Sequence, residues 1–202
     1  GLLGWTSALH EHDPTVIQTI EYLPIHNWLL QNLEYTGMTS AWFDSFHDNI
    51  KNDVHGQLYS TTTIMKQIVE LHEYDSGSTP YSDRNQVIKF MISHDEQSVI
   101  QEMVEFSNYT LSQARERDKF YATILFTSLG VPMLLQGQEF GFKSGWLDDN
   151  GNGNWDEEKL DYRPLDWDLV DTDAGQNHFG HYKNLISLRK SNPAFSKGTC
   201  LL

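Results

Sequence analysis

Short apolar, β-branched runs alternate with helix-length stretches along this chain, and that rhythm constrains its fold more than any other feature. Residues 15–20 (TVIQTI) follow Asp13-Pro14 and read as a strand, as do 39–43 (TSAWF) after Gly37, 87–92 (VIKFMI), and 131–135 (VPMLL) after Gly130. Pro132 lies near the start of its run, where a missing N–H is tolerated. Between the runs lie helical stretches. At 61–73, Ile64, Met65, Ile68, Val69 and Leu71 gather near one face. Residues 112–129 run polar first and apolar later, and stop at Gly130. A last helix at about 178–190 turns Phe179, Tyr182, Leu185, Ile186 and Leu188 toward a core, with Arg189 and Lys190 suited to the negative end of its dipole. Strands alternating with helices make βα units and a parallel sheet, hence an α/β fold with helices on one side of the strands.

The chain has 202 residues, 39% of them hydrophobic and 12% aromatic, which suits a single folded unit over 1–202 and excludes a disordered tail. Fourteen basic residues face 28 acidic ones, a net charge of −14, so nucleic acid and anionic membrane are poor partners. No run approaches a membrane span and no signal peptide is visible. The single cysteine, Cys200, allows no internal disulfide, which fits a cytoplasmic setting. The chain opens on Gly1, and 198–202 (GTCLL) read like the opening of another strand. Both ends therefore look cut, as in a partial domain.

Polar residues collect where the strands end. The first ends at Glu21, the third at His94-Asp95-Glu96 and the fourth at Gln138-Glu139. In parallel α/β folds this edge faces the active site. Taken one at a time, such carboxylates also serve as helix caps or salt-bridge partners. Several on one edge fit glycosidic bond cleavage, which needs one protonated acid facing the leaving oxygen and one anion facing an oxocarbenium-like centre. Trp28, Trp42, Trp146, Trp155 and Trp167 fall in predicted loops or strand ends, where each either stacks on a sugar face or packs in the core. The long polar stretch 141–176 reads as a functional loop.

The segments 90–96 (FMISHDE), 130–141 (GVPMLLQGQEFG), 162–167 (YRPLDW) and 19–24 (TIEYLP), with 42–46 (WFDSF) after the last, resemble the α-amylase family, glycoside hydrolase family 13. The wording is closest to its glucan-branching-enzyme-like members, and the likeness runs from about Val16 to Phe195. The resemblance implies that the four strands are strands five to eight, the second half, of a (β/α)8 TIM barrel. It makes Glu21 the general acid/base, Asp95 the carboxylate that stabilises the transition state and His94 a substrate-binding residue on the same sugar. Gln138 and Glu139 match a mainly structural motif. The family nucleophile, an Asp on the preceding strand, has no match in 1–13, and Asp13, before Pro14, does not replace it. Asp44 is the remaining carboxylate at a strand end. The expectation is part of a retaining α-glucan-active hydrolase or transglycosidase acting on starch, glycogen or maltooligosaccharide. It is expected to be inactive alone and to need the missing N-terminal half of the barrel. A non-catalytic carbohydrate-binding or structural half-barrel is the alternative, and a βα protein-interaction module a weaker third reading.

Remaining signals are slight. Asp148, Asn150 and Asn152, with Gly153, resemble the start of a calcium loop, but position twelve is Lys159 rather than Glu, and a plain Asn-Gly turn is the simpler reading. The His10/His12 and His178/His181 pairs lack a third ligand at metal spacing, so no resident metal is expected. Asp161, Asp166, Asp168, Asp171 and Asp173 read as a solvated loop. No phosphate-cradling glycine loop, cysteine cluster or nucleophilic serine motif is present.

Overall fold

The computed structural model describes residues 1–21, 36–57, 61–72, 81–143 and 163–197. The four apolar runs become four strands, β1 (Thr19–Ile20), β2 (Ser40–Trp42), β3 (Val87–Phe90) and β4 (Val131–Met133). They form one sheet in the order β1-β2-β3-β4, and every pair is parallel. Each strand is shorter than its apolar run, because pairing covers only the stretch where neighbours align, as at Ala41–Val87 and Ile88–Val131.

The described helices are α1 (Leu2–His12), α2 (Asp44–Val54), α3 (Thr61–Lys66), α4 (Val99–Phe106), α5 (Leu111–Thr127), α6 (Asp173–Ser191) and α7 (Pro193–Lys197). α2, α4, α5 and α6 pack on one another in series. The alternation of strand side chains assigns the faces. Phe43 and Lys89 point into the helical layer, where the buried Lys89 Nζ lies 5.2 Å from the centre of the Phe43 ring and 5.7 Å from that of Phe46. Its ammonium donates to the Gln67 carbonyl at 2.6 Å, so the cation is hydrogen-bonded as well as cradled by rings. Trp42 and Phe90 lie on the other face, ring centres 5.1 Å apart.

The helix expected over 61–73 ends at Lys66. Beyond it the chain makes tighter turns, Gln67 N–H to Ile64 O and Ile68 N–H to Met65 O. The freed carbonyls are captured from elsewhere: Gln67 O by Lys89 and Ile68 O by the Leu129 N–H at 2.7 Å. Tertiary partners thus outcompete the local ladder, and Met65 stays 46% exposed rather than joining Ile64 in the core.

The last helix starts at Asp173, five residues earlier than 178–190, because the Thr172 hydroxyl accepts from the Gly175 N–H and caps it. Of its expected core positions only Tyr182 and Leu185 are buried; Phe179, Ile186 and Leu188 are exposed. α6 packs on α5 and on the turns Gln138–Phe140 and Trp167–Asp171, and its buried positions are Gly175, His178, Tyr182 and Leu185. Arg189 does not serve its own helix end. It donates to Phe126 O and Ser128 O, at 2.8 and 2.7 Å, and to Gly130 O, capping the C-terminus of α5. Among the described residues no helix is long and apolar enough to cross a membrane.

Candidate functional site

Because all four strands run parallel, their C-terminal ends share one edge. Glu21 follows β1 directly and is exposed, and alternation carries it to the face of Trp42 and Phe90. The turn after β3 carries His94 and Asp95, their Nε2 and Oδ2 3.5 Å apart and both well exposed. The Ser93 hydroxyl accepts from the Asp95 N–H at 3.1 Å, shaping that turn. The three sequence-predicted site residues therefore lie along one edge, Glu21 two strands away from the His94–Asp95 pair. At about 4.8 Å per strand step, that separation is on the order of 10 Å.

β2 fills the interval. Trp42 meets the His94 ring edge-on at 6.3 Å, and Asp44 opens α2. Burial pushes the Asp44 carboxyl up to about 6, with Asp48, Glu21 and Glu96 adding repulsion and His47 opposing it. His47, one turn along α2, stacks on Phe90 and places Nδ1 2.6 Å from the Met91 carbonyl. Its Nε2 lies 3.5 Å from Glu96, which also faces Lys51 at 3.5 Å. Burial disfavours the His47 cation, but Glu96, Met91 O and Asp48 outweigh it and raise its pKa. Burial likewise pushes the Glu96 carboxyl up, but His47 and Lys51 overcome it and leave it below its ordinary value. Glu96 is thus held as an anion among cations, whereas Asp44 retains a proton into mildly acidic solution.

Arg163 reaches across from a distant segment and donates to the His94 carbonyl at 3.1 Å. Sequence reasoning placed Glu96 at this edge without a role, and missed His47 and the reach of Arg163 to it. The signal for His47 was its spacing three residues after Asp44 at a helix start. Gln138 and Glu139 form a 3-10 turn after β4, flanked by Gly137 (φ 95°) and Gly141 (φ 72°). Gln138 is buried and hydrogen-bonds Tyr182, while Glu139 accepts from the Gly137 N–H, so both are structural here.

Trp167 is 66% exposed, in a 3-10 turn (Trp167–Asp171). Trp28, Trp146, Trp155 and the suggested calcium ligands Asp148, Asn150 and Asn152 lie outside the described residues. Among the described residues no group of three or more His, Cys, Asp or Glu is arranged to hold a metal ion.

No protein-family profile matches the chain. The chain is similar to the pullulanase of Bacillus subtilis strain 168, with 28% identity over 162 residues, taking in 75% of this chain and 22% of that protein. It thus spans about a fifth of the length of the curated relative it matches. Among solved structures, its fold matches type I pullulanase from Bacillus subtilis str. 168 complexed with maltose (TM-score 0.69, 22% identity, 96% of this chain and 28% of that one). It also matches pullulanase from Paenibacillus barengoltzii complexed with maltohexaose and α-cyclodextrin (0.70, 20%, 96% and 32%). A third match is the cyclic α-maltosyl-(1→6)-maltose hydrolase of Arthrobacter globiformis complexed with maltose (0.69, 14%, 98% and 39%). What the chain shares with these α-glucan hydrolase structures is an α/β fold built on a parallel sheet.

Proposed function

We propose that this chain supplies strands five to eight of the catalytic barrel of a retaining α-glucan-active glycoside hydrolase. The observation that carries the reading is the shared edge: Glu21, Trp42 and the His94–Asp95 pair open on it together. Glu21 acts as general acid/base, protonating the glycosidic oxygen and later activating water. Asp95 and His94 hydrogen-bond the hydroxyls of the sugar whose ring flattens in the transition state, and Asp95 opposes its developing positive charge.

A retaining mechanism also needs a nucleophilic carboxylate roughly 5–5.5 Å from the acid. That is about one strand spacing. Asp95, two strands away, is too far for that role. On this reading the nucleophile comes from a strand on the open side of β1, in a preceding barrel half, and this chain is inactive alone. Asp44, one strand from Glu21 on the other side, is the second reading. Its raised pKa counts against it, because a nucleophile must be an anion.

The relatives described above favour hydrolysis of α-glucans such as pullulan and maltooligosaccharides, and the branching-type likeness of the motifs draws no support from them. The test is reducing-sugar release from pullulan and maltoheptaose, with iodine staining for branching, by the chain alone and joined to a preceding barrel half. The expectation is no turnover alone, turnover when joined, and a loss of about 10⁴-fold or more in Glu21→Gln or Asp95→Asn by analogy with other concerted catalytic units. Turnover by the chain alone that Asp44→Asn abolishes would move the nucleophile to Asp44. Full activity in both Glu21→Gln and Asp95→Asn would refute the site.

A further inference from the structure

The outer layer carries a concavity away from the strand edge. Along the seam of α5 and α6, a cavity of about 630 Å³ is lined by Glu116, Lys119, Phe120, Asn177, Gly180 and His181. Through Glu116, Lys119 and Asn177 it continues into a second cavity of about 570 Å³ beside Leu111 and Arg115. The helices run against the strands: α5 ends three residues before β4 begins, and Arg189 near the end of α6 caps the same corner. The groove, in the N-terminal parts of both helices, therefore opens toward the end of the molecule that carries the candidate site.

Gly180 is the unusual feature. It lies inside α6, where glycine costs about 1 kcal/mol relative to alanine. Packing does not demand it, since a Cβ there would meet nothing within 4 Å. Gly175 on the same helix is the contrast, because a Cβ there would collide with the Leu169 carbonyl. The absent side chain at Gly180 leaves the groove floor open.

The walls select a ligand class. Lys119, the cation beside Gly180, is already engaged by Glu116 at 2.7 Å and by the Asn177 carbonyl oxygen, and Arg115 at the far end turns its Nε to the Gly141 carbonyl at 3.4 Å. Phe120 is the one phenyl ring lining the groove, and the Arg117 guanidinium already lies over it at 4.6 Å, too little for an apolar peptide anchor. Gln176 gives its Nε2 to the Val170 carbonyl and Asn177 its Oδ1 to Lys119, which leaves Gln176 Oε1, Asn177 Nδ2 and the Asn184 carboxamide facing the groove, while the Thr123 hydroxyl and His181 Nε2 are turned to the Lys119 carbonyl. A carboxamide offers donor and acceptor side by side, as a vicinal diol does.

We propose that the α5–α6 groove is a second binding site, for a neutral oligosaccharide, holding a stretch of α-glucan outside the catalytic edge. The choice of α-glucan rests on the function proposed above; the polyhydroxyl class rests on the groove itself.

Amide NMR of the 202-residue chain titrated with maltoheptaose tests it. Shifts are expected at Thr123, Asn177, Gly180 and His181. Gly180→Leu, which introduces a better helix former into open space and fills the groove, keeps the fold and weakens binding there about tenfold or more. Asn177→Ala provides a second variant that leaves the helix backbone alone, with the same direction expected. Asp95→Asn leaves the groove shifts unchanged. Shifts confined to Glu21, Trp42 and His94–Asp95 overturn the groove and leave the proposed function standing. Groove shifts that survive both Gly180→Leu and Asn177→Ala also overturn it. No shift at either place counts against both.

Discussion

Two His–Asp pairs in this molecule use the same side chains in opposite ways. His178 and Asp118 sit between α5 and α6, Nε2 2.8 Å from Oδ2, with side chains 0% and 3% exposed. The same carboxylate oxygen accepts from the Tyr182 hydroxyl at 2.8 Å, and Gln138 donates to that hydroxyl at 3.1 Å, tying the turn after β4 to the helices. Gly141 rests on the His178 imidazole, where a Cβ would press on the ring at 3.1 Å. His94 and Asp95 sit 3.5 Å apart with side chains 67% and 48% exposed. The first pair has its carboxylate Oδ2 held by two buried partners and works as a staple. The second keeps lone pairs and an imidazole edge open to solvent, which a sugar ligand requires. Residue type alone does not distinguish a site from a staple; engagement and exposure do.

The comparison is sharpest in stability. Asp118→Ala should cost about 3–5 kcal/mol, since it leaves buried His178 and Tyr182 groups without their acceptor. Urea unfolding checks this, and a loss below about 1 kcal/mol would mean that the network is wet or loosely formed.

Asp44 should give a smaller, pH-dependent effect. Its folded-state pKa is raised to about 6 from 3.8, so between those values the native state binds more protons than the unfolded chain. Stability therefore falls as pH rises through that window. Asp44→Asn should stabilise by about 1–2 kcal/mol at pH 8, after discounting for partial solvent screening, and by nothing below about pH 4. Urea midpoints at the two pH values read the difference; an equal gain at both would show that the charge is not the cause.

Asp95→Asn lies at the small end. An exposed pair should change stability by no more than about 0.5 kcal/mol, even though the same substitution is expected to remove sugar recognition. A stability loss comparable to that of Asp118→Ala would make the edge pair a second staple.

Much of the fold was legible because apolar runs and their bounding glycines follow simple periodicities. β3 and β4 and the long α5 fall where those patterns place them. α2 was not legible: its buried apolar residues, Phe46, Ile50 and Val54, form a thin stripe at every fourth residue in an otherwise polar helix. α4 is only eight residues long, and its cap, the Ser98 hydroxyl accepting from the Gln101 N–H, carries no long pattern behind it. α1 was not legible either: Leu2, Trp5 and Leu9 line one side of it at i, i+3 and i+7, yet they stay exposed and only Thr6 is buried.

At the site, strand-end position gathered Glu21, His94, Asp95, Glu96, Gln138 and Glu139, and the family resemblance singled out Glu21, His94 and Asp95 among them. It did not reveal Arg163, which reaches the His94 carbonyl across 69 residues of sequence. Nor did it show that His178, set aside for want of a metal-like partner, had a buried carboxylate waiting on another helix. Both depend on contacts that only the tertiary fold creates.

The central claim is that the exposed pair is available to a sugar and the buried pair is not. Imidazole-detected NMR of the chain titrated with maltotriose tests it directly. The His94 ring resonances should move with ligand and lose that movement in Asp95→Asn, whereas the response of His178, which lies beside the α5–α6 groove, should be the same with and without that substitution. Ligand-dependent movement at His178 with none at His94, or none at either, would contradict it.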